Sequence, residues 1–423
     1  MSDNKQTLLE QQLKSYIKAK GPVSVRAFME ACLYDPQHGY YRQGNPLGAD
    51  GDFITAPEIS QMFGEMLGIW CVTTWQAMAN PVPLQIIELG PGRGTLMADI
   101  LRSLQRLHPN FEMLSVHLVE RSATLKETQK KTLEGSLCPV YWYNSLSEVP
   151  EGPSIIIANE FLDCFPIRQF IKTDRAWHER VVGLDDQENF AFLVGSEVPR
   201  GAIIPSRLFN AAPGSVFEFC PDFEVVMKDV CRMAKRHPMA ALFVDYGFEG
   251  PQTGETLQAL KGHKSVTPFL MPGDVDLTAH VDFTALAALA VANGLKCYGP
   301  RDQGAFLSQL GIGARAEILV KNASEEQIEK LAAPNPLLKA LNLIANKEDF
   351  MLQSKVLLKK ADVLKAIKGK DAYEVIVLKK RFMDKFFFLP DDETWAVYCS
   401  LKNAISTGYL AKNINDEAYF KQI

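Results

Sequence analysis

The chain has no surplus of positive charge. Its 45 Lys and Arg stand against 50 Asp and Glu, a formal net charge of −5 over 423 residues. Non-specific nucleic-acid binding needs excess cations to neutralise phosphates, so no nucleic-acid partner is expected. Cysteine is scattered: the eight at positions 32, 71, 138, 164, 220, 231, 297 and 399 form no C-x-x-C pair. Such spacing points away from a disulfide framework or a zinc site and toward free thiols in a reducing compartment. No apolar run approaches the roughly 18 residues of a membrane span, so no membrane insertion is expected. The first residues, Asp3 and Glu10 among them, show neither an apolar signal core nor an Arg-rich transit pattern. A cytoplasmic protein is therefore the default, although a processed organelle protein has the same composition. There is no internal repeat, no low-complexity segment, no G-x-S-x-G, no G-K-S/T phosphate loop and no H-E-x-x-H.

What is present is an ordinary globular composition, 47% hydrophobic and 22% charged, with a readable order of elements. Helical spacing places Leu9, Leu13, Tyr16 and Ile17 on one face of residues 5–19, and Ser24 is a natural N-cap for a helix running to about Leu33. Residues 34–57 are rich in Gly, Pro and Asp and read as a long ordered loop, a type that is uncommon unless functional. A helix over 58–79 follows. These first 80 residues are expected to form a helical cap with a lid loop.

From there strands and helices alternate, the pattern of a mostly parallel α/β sheet. Strands are expected at 84–89, 114–119, 140–143, 154–158, 240–245 and near 295–299, with helices at 94–107, 122–134, 222–236 and 282–293. Residues 167–198 alternate as a small antiparallel insert, 302–367 read mostly helical, and Tyr373–Leu378 is a candidate last strand. The expected domains are a cap at 1–80, a catalytic α/β domain at 81–380 and a C-terminal tail at 381–423.

The junction at Glu88-Leu-Gly-Pro-Gly-Arg-Gly-Thr95 carries the chemistry. A strand runs into an acid, three alternate glycines and a helix start, which is where a doubly wound sheet receives a nucleotide-like cofactor. The dinucleotide fingerprint needs a third small residue at position 95, where this chain has Thr. The loop is thus a poor pyrophosphate cradle and suits a cofactor without phosphates, such as S-adenosylmethionine; a nicotinamide dehydrogenase is the least favoured reading. Gly90, Gly92 and Gly94 form the cofactor loop. Glu120, which closes the next strand, can accept from ribose hydroxyls or be a solvated strand end. Glu88 either orients the loop or meets the cofactor's amino group. Asn144 and Ser145 border an adenine or an ordinary turn. Asp52 and Thr55 lie in the lid loop 51–58, which covers the cofactor or merely connects elements.

The strand ending at Ala158 exits through Asn159-Glu-Phe-Leu-Asp163. Asn159 is placed toward the cofactor. Glu160 and Asp163 can hold a cationic guanidinium in bidentate fashion and take a proton, while Asp163 could instead cap a helix. His280 and Asp282, with Asp276 nearby, are acid/base candidates; Asp282 is also a natural N-cap, and His280 an ordinary hydrogen-bonding His. Too few ligands have diagnostic spacing for a metal.

Together these segments resemble the MidA-like family of class I S-adenosylmethionine-dependent methyltransferases, which includes mitochondrial complex I assembly-factor enzymes and bacterial relatives. The stretches that carry the resemblance are Leu33–Pro36 with Gly39–Tyr41, Gly51–Glu58, Phe63–Glu65, Glu88–Leu96, Val119-Glu120, Asn159–Phe165, Asp245–Gly247, Thr256–Gln258, Asp276–Phe283 and Gln303–Leu307, in order over about residues 24–320. The resemblance implies a Rossmann-like, seven-stranded, mostly parallel sheet with an N-terminal helical cap, an antiparallel insert and a helical C-terminal region. It implies methyl transfer from S-adenosyl-L-methionine, leaving S-adenosyl-L-homocysteine, to arginine nitrogens of a protein. In mitochondrial members the implied substrate is the 49-kDa-type subunit of respiratory complex I. It gives two settings, a bacterial cytoplasm or, after processing, a mitochondrial matrix. A non-catalytic cofactor-binding assembly factor and a small-molecule methyltransferase are the alternatives. The resemblance departs after about residue 320.

Overall fold

The computed structural model describes residues 6–42, 57, 61–107, 113–199, 201, 203–261 and 264–315. Two compact units divide the chain, one of residues 1–55 with 71–300 and the other of 56–70 with 301–423.

In the first unit, helix α1 (Leu8–Lys20) is capped by Thr7, whose hydroxyl accepts from the Glu10 amide at 3.0 Å. A two-residue strand β1 (Val23–Ser24) leads into α2 (Val25–Tyr34). The Ser24 hydroxyl accepts from Ala27 N at 3.1 Å, as the N-cap pattern predicts. Val25, Phe28, Met29, Cys32 and Leu33 then turn inward and α2 packs on strands of the insert. A 3-10 turn, Tyr40–Arg42, follows. Residues 43–56, and with them Asp52 and Thr55, lie outside the described residues. Helix α3 (Gln61–Ala77) crosses the division between the units.

The main sheet then begins. Strand β2 (Leu84–Leu89), helix α4 (Thr95–Leu107), β3 (Leu114–Val119), α5 (Ala123–Thr132), β4 (Val140–Tyr143) and β5 (Ser154–Asn159) follow the predicted positions within a residue or two. The insert comprises β6 (Arg168–Lys172), β7 (Trp177–Leu184), β8 (Phe190–Glu197) and β9 (Val216–Phe219), all antiparallel, with β1 added to the β7 edge. Helix α6 (Phe223–Ala234) and β10 (Met239–Val244) return to the main sheet. Five parallel strands are hydrogen-bonded there in the order β10-β5-β2-β3-β4. Ile155, Ile156 and Ile157 of β5 are fully buried, which explains its unbroken apolar run. Smaller sheets pair β11 (Gly247–Phe248) with β15 (Val281–Asp282), and β12 (Gln258–Lys261) with β13 (Lys264–Val266) and β14 (Asp276–Thr278). Helix α7 (Phe283–Ala292) closes the order.

A seven-stranded sheet is thus not what the described residues form: their main sheet has five strands, and several smaller sheets accompany it. The strand expected near 295–299 is absent, since residues 295–300 take no regular structure. Tyr298 there is 88% exposed, so no sheet face is offered for it to cover. The candidate strand 373–378 lies outside the described residues, as does most of the predicted helical region 302–367. The second unit has α8 (Gln303–Gln309), capped by Asp302. Arg315 forks onto Glu65, with Nε donating to Oε2 at 2.6 Å and Nη2 to Oε1 at 2.9 Å. Among the described residues no helix is long and apolar enough to cross a membrane.

Candidate active site

The strand order places a switch point between β2 and β5. From β2 the chain winds outward through β3 and β4, then returns to lay β5 on the other side of β2. In open α/β sheets ligands bind beyond the carboxyl ends of strands at such a point. Two loops leave it here: 90–94 after β2 and 160–163 after β5.

The first is the glycine loop. Gly90, Gly92 and Gly94 all have left-handed backbones, with φ of 65°, 52° and 83°. A Cβ on Gly90 would lie 2.8 Å from Cδ2 of Phe161, so this position excludes a side chain on two grounds. The Phe161 ring thereby keys the second loop against the first. Glu120, just past β3, accepts at Oε1 from Ser122 N at 2.7 Å and at Oε2 from the Gln129 amide at 3.3 Å. Burial raises its pKa and these donors pull it back. Gln129 of α5, fully buried, also donates to the Gly92 carbonyl at 2.8 Å and accepts from Trp142 Nε1 at 2.9 Å. It ties the glycine loop to the acid after β3. Nothing in the local pattern marks it, because a Gln on a polar helix looks like surface.

Toward the carboxyl ends of neighbouring strands, two buried acceptors have no partner among the described residues: Glu88 Oε2 on β2 and Asn159 Oδ1 on β5. Glu88 is 3% exposed, and burial alone raises its pKa to about 8. A buried acceptor without a donor costs about 1–3 kcal/mol, which an incoming ligand with N–H or O–H groups relieves. The tight glycine turn, the Glu120 carboxylate and these orphan oxygens suit a ligand rich in hydroxyls and carrying an ammonium group, the chemistry of an adenosyl amino acid.

The second loop is acidic. Glu160 holds a left-handed φ of 47°, uncommon for a residue with a side chain and costing about 1–3 kcal/mol. The strain is held by Asp245 at the end of β10. Its Oδ2 accepts from the amides of Phe161, Leu162 and Asp163 at 3.1, 2.8 and 3.2 Å, and its Oδ1 from Tyr246 N at 2.9 Å. The Glu160 amide donates to Val244 O at 2.8 Å. No helix starts after Asp163, so its carboxylate is no helix cap. Asp163 is 8% exposed and faces Asp245, Glu160 and Asp276; burial and these like charges push its pKa well above the carboxylate range. Asp245 itself is raised by burial to about 6, against its four backbone donors.

Tyrosines from the N-terminal segment pack against this acidic cluster. Tyr34 donates to Cys164 O at 3.0 Å, Tyr41 stacks on Tyr34 with centroids 5.6 Å apart, and the Tyr41 hydroxyl donates to Asp276 at 3.4 Å. Asp245, Tyr34 and Tyr41 are members of this cluster that local patterns leave without a role, since each is brought in by a different element, and Asp276 joins them from β14.

The remaining sequence candidates make other contacts, although the segment holding His280 and Asp282 borders the acidic loop, with Ala279 N donating to Asp163 O and Val281 N to Tyr246 O, both at 2.8 Å. Asp282 caps α7, its Oδ1 accepting from Ala285 N at 3.0 Å. His280 is exposed; its amide donates to the Thr256 hydroxyl at 2.9 Å, and desolvation lowers its pKa against the opposing field of Glu218. Glu218 in turn accepts from Gln169 at 2.8 Å and from the Thr256 amide and hydroxyl. Ser145, beyond β4, pairs with Ser147 at 2.6 Å, and Asn144 accepts from Lys126 at 2.8 Å. The seven described cysteines are free.

A doubly wound parallel sheet with a glycine-rich first turn, an acid after the second strand and polar groups beyond β5 defines a class I methyltransferase. The chain matches, over residues 66–301, the model of a family described as S-adenosyl-L-methionine-dependent methyltransferases. It is 38% identical over 334 residues to a zebrafish protein named protein arginine methyltransferase NDUFAF7, mitochondrial, covering 73% of this chain and 78% of the relative. The human protein of that name is 36% identical over 361 residues, covering 78% and 79%. A solved structure of a COG1565 superfamily member from Burkholderia thailandensis, bound to S-adenosyl-homocysteine, superposes with a TM-score of 0.64 at 28% identity, covering 79% of this chain and 87% of that one. The chain belongs to this MidA-like family of S-adenosyl-L-methionine-dependent methyltransferases. Its cofactor is S-adenosylmethionine, and the nicotinamide reading falls.

Proposed function

We propose that the protein transfers methyl groups to arginine nitrogens of a protein substrate, with the 49-kDa-type subunit of respiratory complex I as the first candidate. The observation that carries this reading is the acidic cluster beyond β5, where Asp163 lies among Glu160, Asp245 and Asp276 in a loop whose Phe161 packs on Gly90. A cluster of buried carboxylates favours a delocalised, fork-shaped cation. The names of the curated relatives support the same substrate class and a mitochondrial setting; they give no support to a bacterial cytoplasm.

S-adenosylmethionine supplies a methyl group already activated on sulfur. The chain's own tasks are then to bind, align and accept a proton. Gly90, Gly92, Gly94, Glu120, Glu88 and Asn159 are assigned to the cofactor, with Asp52, Thr55 and Ser145 as further candidates from the sequence. Glu160 and Asp163 are assigned to the guanidinium, and Asp245 positions both by fixing their loop. Asp282 is assigned to its helix cap, and His280 keeps its acid/base candidacy beside the acidic loop, which Ala279 joins through Asp163 O. The expected domain division, 1–80, 81–380 and 381–423, remains a proposal beside the two compact units.

The test is incubation with methyl-labelled S-adenosylmethionine and candidate complex I subunits, with Glu160→Gln alongside. Label on a protein arginine, lost in the variant, supports the reading. Cofactor binding with no transfer to any protein favours a non-catalytic assembly factor, and transfer to a small amine favours a small-molecule enzyme.

A further inference from the structure

One buried amide touches both the glycine loop and the acid after β3. Gln129 lies on α5, a helix whose other buried residue is Leu125, and is 0% exposed. Its Nε2 donates to the Gly92 carbonyl at 2.8 Å and to Glu120 Oε2 at 3.3 Å, and its Oε1 accepts from Trp142 Nε1 at 2.9 Å. An indole N–H only donates, and a backbone carbonyl only accepts. The amide therefore has one orientation, and Trp142 of β4 sets it. The glycine loop rests on the same side chain: a Cβ on Gly94 would lie 3.5 Å from both Cα and Cγ of Gln129.

Packing alone does not call for this residue. Burying an amide is costly unless its groups are paired, and an apolar side chain of equal length would fill the space. What an apolar side chain lacks is a donor shared by the loop and the acid. Glu120 is itself anchored, its amide donating to Tyr143 O at 2.9 Å. A carboxylate has about four acceptor positions. Ser122 N takes one at Oε1 and Gln129 one at Oε2, which leaves capacity for a ribose hydroxyl.

We propose that Gln129, oriented by Trp142, is a positioning residue for S-adenosylmethionine: one amide holds the Gly92 carbonyl and the Glu120 carboxylate in place before the cofactor arrives. This rests on the assignment of Glu120 to the cofactor. Such preorganisation raises affinity, because loop and acid need no ordering on binding. It also governs a charge. Burial favours protonated Glu120, and the Ser122 and Arg121 amides, the Gln129 donor and the Lys126 ammonium oppose it. Of the surrounding groups, Lys126 and the Arg121 guanidinium are held by Asn144, at 2.8 and 3.3 Å. Lys130 lies over the Trp142 ring, 5.9 Å from its centroid. Arg93 follows Gly92 in the loop, and β4 contributes the neutral Trp142 and Tyr143. Without the Gln129 donor, Glu120 takes its proton at a higher pH, and a protonated carboxyl is the poorer acceptor for a hydroxyl.

The experiment is calorimetric titration of S-adenosylhomocysteine into wild type, Gln129→Met, Trp142→Phe, Glu120→Gln and the Gln129→Met/Glu120→Gln double variant, from pH 8 to pH 5.5. Affinities are compared as ratios to the matching parent, so that Glu88 and every other shared titrating group cancels. Gln129→Met should bind at least tenfold more weakly at pH 8, and the ratio should widen at least threefold further toward pH 5.5. Trp142→Phe should follow the same trend with a smaller loss. In the Glu120→Gln background the effect of Gln129→Met should no longer vary with pH, which a double-mutant cycle isolates. Wild-type-like affinity for Gln129→Met, within twofold, overturns the proposal. So does a loss that stays constant across pH, which makes Gln129 a packing residue. If Gln129→Met shows no cooperative unfolding, Trp142→Phe, which leaves loop, acid and amide intact, takes its place in the same comparison. Glu120→Gln binding within twofold of wild type overturns the assignment of Glu120, and this inference with it.

Discussion

Replacing Glu88 with Gln should flatten the pH dependence of stability. Glu88 lies on β2, 3% exposed, with Oε2 unpartnered, and burial alone moves its pKa from 4.5 to about 8. In the unfolded chain the carboxyl ionises near 4.5. Between that value and about 8 the native state keeps a proton that the unfolded chain has released, so stability falls as pH rises through the window and is level above it. At ~1.4 kcal/mol per pH unit, the full penalty is on the order of 5 kcal/mol. Gln has the same shape and no charge, so the variant escapes that slope. It still carries an unpartnered buried amide, which costs about 1–3 kcal/mol at every pH. The assay is urea unfolding followed by far-UV circular dichroism from pH 5 to pH 9, wild type against Glu88→Gln. The difference between the two midpoints should shift steadily in favour of the variant up to about pH 8 and then stay constant. Subtracting the curves isolates Glu88 from every other titrating group. Parallel curves would refute the reasoning. Saturating S-adenosylhomocysteine should shrink the divergence, because a ligand ammonium near Glu88 lets the carboxylate ionise in the folded state.

Gly90→Ala should lower the affinity for S-adenosylhomocysteine at least tenfold by calorimetry. Its left-handed φ of 65° costs about 1–2 kcal/mol for an L-residue, and displacing the Phe161 ring, 2.8 Å from the new Cβ, costs about 1–3 kcal/mol more. Gly135→Ala, with φ 82° and nothing within 4 Å, should pay only the strain and bind the cofactor normally; an affinity for Gly90→Ala within twofold of wild type would sink the loop assignment. Asp282→Ala removes the cap of α7 and should cost about 0.5–2 kcal/mol, lowering the thermal midpoint by a few degrees while methyl transfer stays within a few-fold. A hundredfold loss of transfer with an unchanged midpoint would return Asp282 to the reacting centre.

Much of the main sheet was legible because its signals are local. An unbroken run such as Ser154–Asn159 announces a doubly buried strand wherever it packs, and Ser24 announces a helix start through its own hydroxyl. Strand number was not legible. The apolar residues at 295–299 have strand composition, yet a strand forms only where a sheet edge receives it, and Tyr298 is left in solvent. Asp282 shows the converse ambiguity: its chemistry suits acid/base work and capping equally, and the start of α7 beside it uses the carboxylate as a cap.

By itself the sequence determined the glycine loop. Gly90, Gly92 and Gly94 encode left-handed backbone at fixed spacing after a strand, and that geometry is set by residues a few positions apart. Tertiary structure alone decided what surrounds it. Gln129 reaches Gly92 across 37 positions, Asp245 gathers three amides from 82–84 positions away, and Tyr41 meets Asp276 across 235. Contacts made through space leave no periodicity along the chain. The electrostatics of the acidic cluster belong to the same class, because a carboxylate's proton is governed by which charges stand beside it and how little water reaches it.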